Sequence, residues 1–160
     1  MSSQVLTEQA PAIDAWVRLL RGSSAAQRAM NARLVSDHGL TINDYECLLL
    51  LARAEGRRMR RIDLADRLIL TASGVTRLLD GLEVAGFVDR ASCDTDRRVT
   101  YAVLTEAGRA KLREASGSHI LDIRGFFEEH FTAEELDQLV ELLGRLPGVA
   151  AAVGSQCSVD

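Results

Sequence analysis

The stretch from residue 61 to residue 104 constrains the fold more than any other part of the chain. It begins with a short apolar-periodic segment at 61–68, which predicts a helix, and Thr71 then caps a second helix only two or three residues later. Two β-branched runs, 87–91 and 99–104, follow on either side of a polar tip. Two helices joined by so short a link, with a hairpin directly after them, predict a winged helix-turn-helix in a mainly α fold with a small β-hairpin wing.

Further helices are predicted on both sides of this stretch. Pro11 suits a first helical turn, and apolar residues follow at helical spacing, so a helix is expected to run to His38. Two capping-box sequences, TIND at 41–44 and TAEE at 132–135, mark the starts of two more helices, and Thr105 marks another. The winged core is therefore expected to be flanked by long helices at both ends of the chain.

The run CLLLLA at 47–52 is apolar on nearly all sides, so the helix that contains it is predicted to be central in the core. These signals divide the chain into five segments. They are a flexible arm at 1–9, an N-terminal helix at 10–40, a winged helix-turn-helix domain at 41–104, C-terminal helices at 105–148 and a flexible tail at 149–160.

The second helix of the pair has two chemically different faces. At ~100° per residue its apolar side chains share one side, and small or polar side chains share the other. The apolar side holds Val75, Leu78, Leu79 and Leu82, and the polar side holds Ser73, Thr76, Arg77 and Asp80. Hydroxyls and a guanidinium near a helix N-terminus suit the major groove, where they reach base edges and phosphates. We therefore predict contacts with double-stranded DNA from Thr71, Ser73, Thr76 and Arg77.

The polar tip SCDTDRRVTY at 92–101 places Arg97 and Arg98 side by side. A thin β-tip can enter the minor groove, where a guanidinium fits the negative potential of narrow A·T-rich segments. Asp94 and Asp96 are expected to cap the turn and to hold the arginine stems. Asp96, Arg97 and Arg98 thus complete the predicted DNA contacts. The alternative is a solvated hairpin with an incidental arginine pair.

The charge of the chain is distributed unevenly. The net charge is −4, with −1 in residues 1–56, +2 in residues 57–104 and −5 in residues 105–160. A basic middle between acidic ends allows a polyanionic partner for one face only.

Several classes of protein are excluded by what the sequence lacks. Its three cysteines, Cys47, Cys93 and Cys157, form no CxxC pair, so neither a disulfide framework nor a zinc site is indicated. No signal peptide and no membrane-spanning run is visible, which predicts a cytoplasmic protein without a membrane partner. No nucleophile–base pair or phosphate loop is present, so we expect no enzyme, no cofactor and no metal.

The segment LADRLILTASGVTRLLDGLEVAGFVDRASCDTDRRVTYAVLTEAG at 64–108 closely resembles the winged helix-turn-helix core of MarR-type transcriptional regulators. The resemblance rests on the LA start, the Ser-x-x-Thr-Arg helix surface, the GFV-x-R junction, the Asp-Arg-Arg tip and the closing LTEAG. With its helical flanks it covers roughly residues 10–147. It implies a repressor that binds a palindromic operator, with residues 71–85 in the major groove and Arg98 in the minor groove.

The resemblance also implies a homodimer formed through the N- and C-terminal helices. In this chain the C-terminal region is acidic and apolar, which suits a dimer interface better than a DNA face. Candidate interface residues are Phe126, Phe127, Leu139, Leu143 and Leu146. The alternative is that they form core within one chain.

Many MarR-type regulators release DNA when a small aromatic or phenolic anion binds, and the resemblance implies the same for this chain. Trp16, Tyr45 and His38 are the candidate effector-binding residues here, with packing as the alternative role for each. Two other functions stay open. One is a redox-responsive regulator that acts through Cys93, which lies near several arginines; Cys47, on an apolar face, is expected to be inert. The other is a winged-helix protein-interaction module without an operator, which would need a hydrophobic, non-basic recognition face.

Overall fold

The fold is that of a computed structural model, which describes residues 10–92 and 99–149. The described part is mostly helical and carries one small antiparallel sheet. In chain order its elements are α1 (Ala10–His38), α2 (Ile42–Arg53), a 3-10 turn (Glu55–Arg57), β1 (Arg58–Arg60), α3 (Arg61–Leu68), α4 (Ala72–Val84), β2 (Val88–Ser92), β3 (Thr100–Leu104), α5 (Glu106–Glu128) and α6 (Ala133–Gly144).

The predicted helix starts are confirmed by the side-chain caps. Thr41 accepts a hydrogen bond from the backbone N–H of Asp44, and the Asp44 carboxylate accepts the Thr41 N–H at 2.8 Å. Thr132 and Glu135 make the same reciprocal pair before α6. Thr105 caps α5 by accepting the N–H of a residue three positions on. Each cap satisfies N–H groups that have no partner inside the helix.

The helix-turn-helix is formed by α3 and α4. Helix α3 ends at Leu68, as the sequence predicts, and Ile69 then takes the left-handed conformation with φ of +54°. This reversal lets the Leu70 N–H donate to the Ala65 carbonyl at 3.0 Å. Thr71 accepts the N–H of Gly74 and begins α4. The turn is therefore held by backbone bonds and a cap, with a β-branched residue in a conformation that such residues rarely adopt.

We expect Ile69→Asn to stabilise the protein by about 1 kcal/mol, because an L side chain in the left-handed region costs about 1–2 kcal/mol and asparagine tolerates it best after glycine. The Ile69 side chain is 91% exposed, so little burial is lost. Val84→Asn is the matched control, since Val84 is 90% exposed but lies in right-handed helix. Urea unfolding followed by circular dichroism measures both. Equal effects of the two changes would show that the turn is not strained.

The sheet has three strands in the order β1-β3-β2, all antiparallel. The two strands of the wing are confirmed, but the sequence prediction of a two-stranded hairpin is corrected by β1, which pairs Met59 with Ala102 of β3. A strand of three residues has no readable period, and its partner lies about forty residues along the chain. Its one apolar side chain, Met59, packs against the core. Pairing with β3 therefore defines β1, and local sequence does not.

The buried core joins the second half of α1 to the winged domain and to the start of α5. The prediction that 47–52 is central is confirmed, since Cys47, Leu48 and Leu51 have no exposed surface. The largest fully buried side chains are Leu34, Leu48, Leu51, Leu64, Leu112, Val75, Val88 and Cys47. This single cluster fixes α4 and the sheet relative to α5.

Both ends of the described chain lie outside this core. Residues 11–25 of α1 are all exposed, and α6 has no buried residue although it is amphipathic. Helix α6 ends at Gly144, and Arg145 is its C-cap residue. None of the five candidate interface residues belongs to the buried cluster: Leu146 is exposed, and the other four are half-buried.

Candidate nucleic-acid interface

Helix α4 presents the two faces that the sequence predicts. Val75, Leu79 and Leu82 are buried against the core. On the opposite side Ser73 and Arg77 are exposed, and Thr76 is half-buried. Helix α4 therefore has an inner face that is fixed to the core and a polar outer face. The contacts of this outer face with DNA remain a prediction.

The hydroxyls of Thr71, Ser73 and Thr76, at the N-cap and on the outer face of α4, all have hydrogen-bond partners. Thr71 Oγ1 accepts the Gly74 N–H at 3.1 Å and lies 3.1 Å from Ser73 Oγ. Its main role in the fold is therefore to cap α4. Thr76 Oγ1 donates its proton to the Ala72 carbonyl at 2.9 Å. A hydroxyl that has spent its proton can only accept a further bond. Thr76 therefore presents an acceptor on the outer face, close to Arg77.

Strand β2 is tied to α4 by Arg90. Its guanidinium pairs with Asp80 and with Glu83, the second at 2.7 Å between Nε and Oε2. The pair neutralises Asp80, an acid on the outer face of α4, and fixes the base of the wing to the helix. The sequence did not predict this role of Arg90. Arg90 lies on β2 and both of its partners lie on α4, and no periodicity connects residues of different elements.

A basic run, RRMRR at 57–61, follows α2 and leads into α3. Three of its four arginines have partners of their own. Arg57 pairs with Glu106, Arg60 makes two hydrogen bonds to Asp63 at 2.7 and 2.8 Å, and the Arg58 guanidinium lies 5.1 Å from the centre of the Tyr101 ring. The hydrogen bond from Arg60 holds the pKa of Asp63 below its usual value.

The fourth arginine of the run, Arg61, is the first residue of α3 and is exposed. Its Nη1 lies 3.5 Å from Thr76 Oγ1 on α4. Sequence reasoning did not single out Arg61. A run of basic residues just before a helix-turn-helix was the available signal, but the run does not show which arginine turns toward α4.

The tip of the wing lies outside the described residues. This applies to the predicted DNA contacts Asp96, Arg97 and Arg98, and also to Asp94 and Cys93. The strands on either side are described, and Ser92 of β2 is the register partner of Thr100 of β3.

Two of the three candidate effector residues contact α5. Tyr45 is buried, with its hydroxyl 3.1 Å from Ser116 Oγ and its ring edge-on to the His119 ring at 4.6 Å between centroids. His38 Nε2 lies 2.6 Å from Ser118 Oγ, and its Nδ1 lies 3.3 Å from Glu114 Oε1. Burial lowers the pKa of His119, which favours its neutral form.

Trp16 does not join this group within one chain. It is 57% exposed and lies on the same uninterrupted helix as His38, about 33 Å along its axis at 1.5 Å per residue. His38 and Tyr45 therefore both contact α5, whereas Trp16 lies far from them.

Cys47 is a free, fully buried thiol. Burial, helped by the charge of Asp44, raises the pKa of this thiol to about 12. The reactive thiolate is therefore scarce at neutral pH, which agrees with the expectation that Cys47 is inert packing.

Residues 10–92 and 99–149 contain neither a cluster of metal-ligating side chains nor a membrane-spanning helix. Within these ranges, three or more histidine, cysteine or acidic side chains do not gather where they could hold a metal ion. None of the helices described there has the length and apolar character needed to cross a bilayer.

Comparison with known proteins gives consistent matches. A family model described as MarR family matches residues 38–99. The transcriptional repressor YetL of Bacillus subtilis is 35% identical over 108 residues, which cover 68% of this chain and 64% of YetL. The regulator YkoM of the same organism is 33% identical over 107 residues, covering 67% of this chain and 68% of YkoM.

Solved structures agree with these sequence matches. AbsC, a MarR family transcriptional regulator from Streptomyces coelicolor, is 32% identical, with a TM-score of 0.73 over 89% of this chain and 93% of AbsC. Another MarR family regulator from that organism, solved in complex with DNA, is 27% identical, with a TM-score of 0.76 over 93% of this chain and 90% of that one. All four relatives are named as transcriptional regulators and not as enzymes, as the sequence predicts for this chain.

Proposed function

The chain belongs to the MarR family of transcriptional regulators, and from that premise we propose that it is a homodimeric repressor of a palindromic operator. The observation that carries the proposal is the outer face of α4, where Ser73, Thr76 and Arg77 stand opposite a buried apolar face. A rigid helix with small polar residues near its N-terminus is the surface that a major groove accepts.

In the proposed complex α4 lies in the major groove, and the tip of the wing reaches the adjacent minor groove. Arg77 reads base edges, Thr76 accepts a hydrogen bond from a base, and the N-terminal residues Thr71 and Ser73 contact the backbone. Arg97 and Arg98, with Asp96 beside them, enter the minor groove. The ion pairs of Arg90 keep α4 and the wing base in one geometry, so both contacts form together.

The proposed dimer is supported by apolar surface that one chain leaves uncovered. Along α1, Ile13 is 59% exposed and Trp16 is 57% exposed, and on α6 Val140 is 68% exposed. Apolar side chains that gather on one exposed face of a helix mark an interaction site. A second copy would cover the terminal helices of both chains and would place the two α4 helices one DNA turn apart, about 34–36 Å.

Repression is proposed because YetL, a relative, is named as a repressor. The proposal extends to a small aromatic effector that binds near His38 and Tyr45, because these two side chains bond α1 and α2 to α5. A ligand that replaces these bonds shifts α5 against the DNA-binding part. The proposed function implies a cytoplasmic protein. Redox control through Cys93 is the alternative route of release.

Selection from random duplex DNA, followed by gel-shift titration, tests the proposal. We expect enrichment of an inverted repeat with half-sites about one turn apart, and sedimentation at twice 17.5 kDa. Thermal-shift screening of aromatic acids and oxidants, with loss of the gel shift as readout, identifies the signal. A monomer at micromolar concentration, or recovery of unrelated sequences alone, would contradict the proposed function.

A further inference from the structure

The arginine that begins α3 has no role in the fold comparable to that of its neighbours in the basic run. Arg57, Arg58 and Arg60 are held by a carboxylate, an aromatic ring and a second carboxylate. Arg61 is exposed, and the acceptor found for it among the described residues is the hydroxyl of Thr76. Its charge is thus turned toward the outer face of α4.

The position of Arg61 is unfavourable for α3 itself. Positive side chains are disfavoured at a helix N-terminus, where the macrodipole is positive, and Arg60 at the N-cap makes no side-chain capping bond. An acid or a small hydroxyl-bearing residue would serve α3 better here. Residues that break a local preference are expected at functional sites, where a partner supplies the compensation.

We propose that Arg61 is a further DNA-binding residue, whose guanidinium contacts a backbone phosphate at the edge of the half-site that α4 occupies. Thr76 Oγ1 has already given its proton to Ala72, so it can accept from Arg61 and keep the long side chain along α4. Phosphates are the DNA groups that guanidinium pairs with most strongly, through parallel hydrogen bonds. The inference rests on the proposed function. It adds a positively charged residue to the DNA contacts, one that the sequence analysis did not include.

The contact has two measurable consequences. A lost phosphate contact weakens binding on every duplex and lowers the slope of log affinity against log salt by about one. We therefore expect Arg61→Ala to bind about 10-fold more weakly to the selected operator and to a scrambled duplex alike. Arg61→Lys keeps the charge and should keep most of the salt slope.

Arg67→Ala is the matched control, because Arg67 is an exposed arginine of the same helix that lies about 120° from Arg61 around the helix axis. Fluorescence anisotropy titrations at four salt concentrations compare it with Arg61→Ala, and thermal unfolding confirms that both variants fold. If the wild type selects no operator, the proposed function fails. If the wild type binds and Arg61→Ala matches either the wild type or Arg67→Ala, the Arg61 contact alone fails. A loss confined to the operator would overturn the phosphate assignment.

Discussion

Gly108→Ala should destabilise the protein by about 3 kcal/mol and lower its Tm by roughly 6 to 12 °C. A Cβ at this position would lie 2.8 Å from Leu104 Cδ1 and closer still to the carbonyl oxygen of Phe87. That oxygen accepts the Thr105 N–H at 3.1 Å, and the Thr105 hydroxyl donates to the Gly86 carbonyl at 2.7 Å. The backbone around the clash is therefore held in place, and α5 would have to move away from the base of the wing.

Gly117→Ala is the matched control for this change. Gly117 lies in the same helix, and a Cβ there would have no atom within 4 Å. Alanine in an open helix position is expected to stabilise by up to about 1 kcal/mol. Urea unfolding monitored by circular dichroism gives both values. Similar effects from the two variants would show that α5 does not depend on a close approach at Gly108.

The sequence predicts the helices of this chain well because their signals are local. The bounds of α3 follow from apolar spacing, and the starts of α2, α5 and α6 follow from Thr41, Thr105 and Thr132, whose capping bonds involve residues three positions away. Such signals need no knowledge of the tertiary structure. The motif LTEAG includes Gly108, but only the packing against Phe87 explains why a glycine stands there.

The parts that the sequence does not predict are contacts between elements distant along the chain. Strand β1 exists through its pairing with β3, and the Arg90 ion pairs join β2 to α4. The bond between Tyr45 and Ser116 spans 71 positions. The outer face of α4 was predictable from helical periodicity, whereas the approach of Arg61 to that face depends on the packing of two helices, which no local pattern encodes.

Arg77→Ala is the change with the largest expected effect on DNA recognition. Arg77 is exposed on the outer face of α4, one residue after the acceptor hydroxyl of Thr76. A guanidinium that reads a base edge contributes about 1–3 kcal/mol of discrimination, so operator affinity should fall roughly 5- to 150-fold. Affinity for a scrambled duplex should fall much less.

The variant Arg77→Lys distinguishes base recognition by the guanidinium from an effect of its positive charge alone. Lysine keeps the positive charge but lacks the planar fork of the guanidinium, so we expect it to restore binding to scrambled DNA without restoring the preference for the operator. Anisotropy titrations of wild type, Arg77→Ala and Arg77→Lys on both duplexes at one salt concentration measure this difference. An equal loss on the two duplexes, recovered by lysine, would make Arg77 a phosphate contact. The selectivity of α4 would then have to come from Thr76, since it is the other side chain of the outer face that is proposed to contact a base.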